Sequence, residues 1–165
     1  VLAGELSEQA FGKLQNVEGF SGEFQQSKQF IEIHFPIISK GVFTFDKENG
    51  LTWNTQEPVE SSMQISKDGV STSEQRKIAG SELVGELMLQ LMSGELSELN
   101  QYFSFEYSGL PLNWTVILTP KTEILSSIYK RIELDGAEFI LGMRLFETSG
   151  NQTKISFSNY LIIAE

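Results

Sequence analysis

The 165-residue chain carries 12 basic and 22 acidic side chains, a net charge of −10, 40 % hydrophobic residues and no cysteine. One domain with one sizeable core is expected; disulfides, thiolate metal sites and a cysteine nucleophile are excluded, and the missing basic footprint argues against nucleic acid. So acidic a chain should also be repelled by an anionic membrane surface, and no run reaches the ~18 apolar residues of a membrane span.

The opening V-L-A-G-E-L has neither the basic region nor the long apolar core of a signal peptide. The chain is therefore expected to be cytoplasmic, or a mature form whose signal has been removed. Residues 2–17 then read as an amphipathic helix: Leu2, Leu6, Ala10, Leu14 and Val17 recur at helical spacing, and Gly19 ends it.

Strand patterns follow. Phe20–Lys28 places Phe20, Gly22, Phe24 and Gln26 on one face, and Phe30–Phe35 is expected as a second strand with Ile31, Ile33 and Phe35 opposite Glu32 and His34. In Ser39–Met63 two alternating runs flank Asn49-Gly50, the signature of a β-hairpin. Its inward face carries Phe43, Phe45, Leu51 and Trp53. That is more aromatic bulk than two short strands need, so it packs on a large apolar element or walls a cavity. Ser61–Ser66 adds Met63 and Ile65, Asp68-Gly69 marks a turn, and Val70–Arg76 reads as a solvated strand.

Ser81–Gln101 breaks the pattern. Leu83, Val84, Leu87, Met88, Leu91 and Met92 fall on one helical stripe, interrupted by Gly85 and stopped at Gly94, with a short second helix over Glu95–Gln101. Such stripes are usually core. Methionine adapts to irregular apolar partners and glycine permits hinge motion, so a lid over an apolar cavity is the sharper reading.

Alternation resumes to the end. It groups Phe103, Phe105 and Tyr107; then Leu112, Trp114, Val116 and Leu118; then Ile128, Lys130, Ile132 and Leu134; then Phe139, Leu141, Met143 and Leu145; and finally Ile155 and Phe157. Roughly nine to eleven strands on short connections make a mainly β (α+β) domain: one antiparallel sheet that curls into an incomplete barrel, with a helical lid.

Catalytic motifs are missing. His34 is the sole histidine and has no histidine or cysteine partner for a metal, so it reads as an ordinary strand residue. Asp46, Glu48, Asn49 and Glu57 approach calcium-loop spacing, but the glycine is fifth rather than sixth and strands flank the segment. No H-E-x-x-H, G-x-S-x-G or phosphate-binding glycine loop occurs. The chain is read as a non-enzyme without cofactor or metal.

Several segments, in order, resemble the periplasmic outer-membrane lipoprotein carriers, the LolA-like proteins. They are L-Q-N-V-E-G-F-S-G-E-F-Q-Q-S-K at Leu14–Lys28, G-V-F-T-F-D-K-E-N-G-L-T-W at Gly41–Trp53, Gln56 and Pro58 followed by S-K-D-G at Ser66–Gly69, and I-L-T-P-K at Ile117–Lys121. Ile132–Gly136 and Met143–Phe157 follow the family's last hairpins. The resemblance implies a single carrier domain over residues 1–165, in the periplasm, whose curved half-barrel takes acyl chains of lipoproteins or another lipid in an apolar cavity. The expected cavity wall is Phe24, Phe43, Phe45, Leu51, Trp53, Met63, Ile65, Phe103, Phe105, Trp114, Val116 and Leu118, under the lid residues above. It further implies a monomer that meets an inner-membrane donor and an outer-membrane acceptor. Lys47 stands where the family has an arginine that bonds to the lid, so it is expected at the lid or at a ligand headgroup, without the forked geometry of arginine. Glu48 replaces the neighbouring proline, and the family's C-terminal extension is not seen. The alternative is a module whose apolar groove accepts a partner protein.

Overall fold

A computed structural model describes residues 18–66, 69–72, 81–93 and 96–164. The helix expected over residues 2–17 lies outside them, as do Gly94 and the part of the expected Val70–Arg76 strand beyond residue 72.

Ten strands form one antiparallel sheet: β1 (Gly19–Gln29), β2 (Ile37–Asp46), β3 (Gly50–Glu57), β4 (Ser61–Ser66), β5 (Gly69–Thr72), β6 (Phe103–Leu110), β7 (Asn113–Pro120), β8 (Tyr129–Gly136), β9 (Ile140–Glu147) and β10 (Gln152–Ala164). Their spatial order is β5-β4-β3-β2-β1-β10-β9-β8-β7-β6. The chain therefore builds one wing outward from β1 to β5, crosses over, and returns from β6 to β10, which pairs with β1. β5 and β6 do not pair with each other, so the barrel stays incomplete. Inward side chains of both wings nevertheless belong to one buried cluster, so the sheet wraps around a single core.

Three helices are described: α1 (Ser81–Ser93), α2 (Leu96–Leu99) and α3 (Glu123–Ile128). α1 packs against β3 and β4, and α3 against β7 and β8. α3 falls between the expected strands Leu112–Leu118 and Ile128–Leu134, where no helix is expected. Its signal was present in Thr122, whose hydroxyl caps the helix by accepting the Leu125 amide at 3.2 Å. Six residues are too few for periodicity to register.

Several expectations are corrected. Phe30–Phe35 is a loop, not a strand: the Gln29 side-chain amide donates to the carbonyls of Phe30 and Ile33, and the Ile33 amide turns back to Phe30. Pro36 then starts the chain into β2. His34 accordingly lies in this exposed loop rather than in a strand. Leu112 sits in the β6–β7 turn, exposed, instead of sharing the face of Trp114. Two register shifts reverse parity. One opposite Glu147–Phe146 buries Tyr129 and turns Lys130 outward, while Ile128 belongs to α3 and not to the strand; the other, between Gly136–Ile140 and Asp135–Gly142, buries Ile140 and leaves Leu141 half-exposed.

The β2–β3 hairpin forms where Asn49-Gly50 marked it. Its loop spans Lys47–Asn49, and Gly50 takes φ +85, a conformation that favours glycine. Asp46 accepts the Asn49 amide and closes the turn. Asp46 and Glu57 stand at opposite ends of β3's register, about 23 Å apart at strand rise, so the four candidate calcium ligands do not converge.

Candidate functional site

Register assembles the first wall in rows across four strands. Phe20 pairs with Phe45, Phe45 with Leu51, and Leu51 with Ile65. In the next row Gly22 faces Phe43, Phe43 faces Trp53, and Trp53 faces Met63. The alternation read in the sequence supplies an inward side chain at each of these positions save Gly22. Gly22 leaves room for the Phe43 ring, which lies where a Cβ would stand.

The rings interlock. Phe24 stacks on Trp53 with centroids 3.9 Å apart, and Phe157 and Phe43 meet in a T-shaped pair at 5.6 Å. Tyr160 stacks on Phe139 at 4.6 Å and sends its hydroxyl to the Ile140 carbonyl at 2.6 Å. Burial raises the pKa of that hydroxyl well above the ordinary tyrosine value. Offset and edge-to-face pairs of this kind each contribute about 0.5–1.5 kcal/mol beyond area burial.

The second wall repeats the device. Phe105, Leu118, Ile132 and Leu145 form one row, and Tyr107, Val116, Leu134 and Met143 the next. Trp114 faces Gly136, against which its six-membered ring packs, and its indole N–H donates to the Ala137 carbonyl at 2.7 Å.

All the expected wall residues thus share the inner face. Phe24, Phe43, Phe45, Leu51, Ile65, Phe103, Trp114, Val116 and Leu118 are buried; Trp53, Met63 and Phe105 are partly so. Of the helical stripe, Leu87, Met88, Leu91 and Met92 are buried in the same cluster; the side chains of Leu83 and Val84 lie outside the described ones. Phe20, Phe139, Phe157 and Tyr160 complete the aromatic group without having been picked as site residues. Phe20, Phe139 and Phe157 did stand on inward faces by alternation. Tyr160 had no such signal, because the irregular β1–β10 register at Ser21–Glu23 and the φ of +53 at Asn159 set its direction.

Lys47 is exposed at the β2–β3 tip, where its amide donates to the Glu18 carbonyl at 3.0 Å. It lines a shallow pocket with Glu18, Gly19, Asp46, Glu48, Asn49 and Ile163. A second shallow pocket, of about 400 Å³, lies at Asn54–Gln56 and Glu60–Ser62. Both are polar or mixed, and neither opens onto the aromatic group. Among the described residues most inner-face side chains are buried in one cluster, with α1 packed on β3 and β4. No helix among the described residues is long and apolar enough to cross a membrane.

Comparison with known proteins gives a family and a fold. The model of the family described as outer membrane lipoprotein carrier protein LolA matches residues 15–163. No curated protein matches the chain by sequence. Among solved structures, the chain is similar to the LolA superfamily protein NE2245 from Nitrosomonas europaea, at 10 % identity and a TM-score of 0.51, covering 100 % of this chain and 95 % of that one. It is similar to MucB at 11 % identity and a TM-score of 0.53, covering 98 % of this chain and 60 % of MucB. The Pseudomonas aeruginosa MucA/MucB complex matches at 9 % identity and a TM-score of 0.50, covering 97 % of this chain and 58 % of that one.

Proposed function

The chain belongs to the family of the outer membrane lipoprotein carrier protein LolA, and we propose from that premise that it is a periplasmic, non-enzymatic binder of acyl chains. Its cargo is a lipoprotein's acyl groups or another lipid, moved as a monomer from an inner-membrane donor towards an outer-membrane acceptor. The observation that carries this reading is the convergence of Phe24, Phe43, Phe45, Leu51, Trp53 and Trp114 in one apolar cluster with the Leu/Met stripe of α1. Such a cluster can hold an acyl chain at about 0.8 kcal/mol per buried methylene. Because those side chains are buried together with the α1 stripe, loading requires the α1 side chains to swing away, which makes α1 the lid. Native mass spectrometry of the purified protein is the test. A co-purified lipid, released on denaturation, is expected; a ligand-free protein that takes up no added palmitate would defeat the reading.

One observation supports a second reading. The inner-face side chains are buried together as in a core, and the fold is shared with MucB, which is solved in complex with MucA. In this reading the apolar groove receives a segment of a partner protein. Lipid-free protein that carries a bound peptide in the same spectra would favour it.

A further inference from the structure

The chain has no cysteine, so its 4 methionines are its only sulfurs. Three of them are sealed: Met88 and Met92 on α1 are each 1 % exposed, and Met143 on β9 is 0 % exposed. Met63 on β4 is only partly buried, although it packs against the same apolar cluster. Its place in the sheet is the cause. Met63 shares the inward face of buried Ile65, two residues on. Yet β4 lies near the open side of the incomplete barrel, where only β5, 4 residues long, follows it. Of the thioethers, Met63 is therefore the one that a small solute can reach.

The neighbours of Met63 give that access a consequence. Met63 faces Trp53 across the β3–β4 pair, and Trp53 in turn stacks on Phe24 and meets Phe43 and Phe157. α1 packs on the same two strands. Trp53 and Met63 are thus partly exposed members of the wall that α1 covers. A pliable apolar thioether suits such a place, and its sulfoxide does not. A lone pair on the sulfur attacks one oxygen of a peroxide, the O–O bond breaks, and the other oxygen leaves as water. The side chain is now polar and carries a strong acceptor. That oxygen either stays among the apolar side chains without a donor, or turns to water and draws the side chain off Trp53. Both outcomes weaken the wall beneath α1. Return to the thioether needs a separate reductase, since the chain holds no thiol of its own.

We propose that Met63 is a site of reversible oxidation by peroxides, and that its sulfoxide loosens α1 from the β3–β4 wall. The proposal does not depend on what the inner face holds. The whole chain is treated with hydrogen peroxide under native conditions, digested, and mapped by mass spectrometry. Met63 should be oxidised well before Met88, Met92 and Met143. In the oxidised protein the amides of α1 should exchange hydrogen roughly tenfold faster, the effect of an acceptor left without a donor. Trp53 emission, read with Trp114→Phe in the background, should shift to the red. Met63→Leu conserves apolar volume; it should fold like the wild type and show neither change with peroxide. Met63→Gln should reproduce the faster exchange with no oxidant present. The proposal is overturned if the methionines oxidise together, or if Met88 or Met92 is oxidised first. It is overturned too if Met63 is fully oxidised while α1 exchanges as before, or if Met63→Leu responds to peroxide as the wild type does. These readouts need no cargo, so their failure would leave the acyl-chain reading standing, and a protein that binds no lipid would leave this proposal standing.

Discussion

The indole of Trp53 on β3 lies on the ring of Phe24 on β1, 3.9 Å between centroids and 21° from parallel, although β2 runs between the two strands. The contact exists because Phe24 pairs with Gly41, which presents no side chain to separate them. A Cβ there would stand 2.8 Å from the Phe24 ring and collide with the Asn54 carbonyl oxygen. Gly41→Ala should therefore cost about 1–3 kcal/mol, read from urea unfolding, and weaken the near-ultraviolet aromatic signal. An unchanged midpoint would mean the three strands have slack that their register does not suggest.

Trp53 is partly buried within the aromatic group, whereas Trp114 is fully enclosed. If an acyl chain enters between the two walls, Trp53 should change its surroundings. Adding a fatty acid should shift its emission, with Trp114→Phe removing the second signal. Saturating binding, confirmed independently, with no shift would exclude Trp53 from the site.

The helix α1 distinguishes a moving lid from a fixed layer. Leu87, Met88, Leu91 and Met92 are buried, so as fixed core Leu87→Ala should remove about 2–5 kcal/mol from global stability. A lid that opens below the cost of global unfolding shows much less. Amides of α1 should exchange hydrogen faster than those of Trp114–Leu118 in the empty protein and slow when lipid binds. Equal protection in both segments, with no response to lipid, would make α1 ordinary core.

Lys47 sits at the hairpin tip beside Glu18, Asp46 and Ile163. As a headgroup or lid contact it should set how fast cargo exchanges rather than how stable the fold is. Lys47→Ala is expected to alter the exchange rate of a fluorescent fatty acid while the melting temperature holds. A large fall in melting temperature with unchanged exchange would assign Lys47 to structure alone.

Tyr160 predicts an alkaline limit. Burial raises its hydroxyl pKa in the folded protein, so the unfolded chain loses that proton first, near pH 10. Stability is then full below about pH 10 and falls as pH rises through and beyond it. Tyr129, raised by burial and then by Glu147, acts with the same sign. Tyr160→Phe should begin about 1 kcal/mol lower at neutral pH, through loss of the bond to Ile140, and decline less steeply in alkali. Urea unfolding across a pH series measures both, and parallel slopes would refute the assignment.

Alternation with period two was enough to read a mostly antiparallel sheet and to choose Phe43, Phe45, Leu51, Trp53, Trp114, Val116 and Leu118 for one face, because side-chain direction along an uninterrupted strand is a local property. Helical spacing likewise marked the buried stripe of α1. What alternation could not supply was where its own count slips. The irregular registers at Tyr129–Arg131, Asp135–Gly136 and Ser21–Glu23 depend on the neighbouring strand, and they decide that Tyr129, Ile140 and Tyr160 turn inward while Leu141 turns out. The same limit explains the exposed Phe30–Phe35 loop. Ile31 and Phe35 alternate like a strand, but at the end of β1 no partner strand completes the pairing there, so the segment closes on itself through Gln29. Its Ile31 and Phe35 side chains stay outside, and its Ile31 amide bonds to Asn151, 120 positions away in sequence. Pairing partners and chain ends brought together by the sheet are non-local, and they exist only once the tertiary structure has formed.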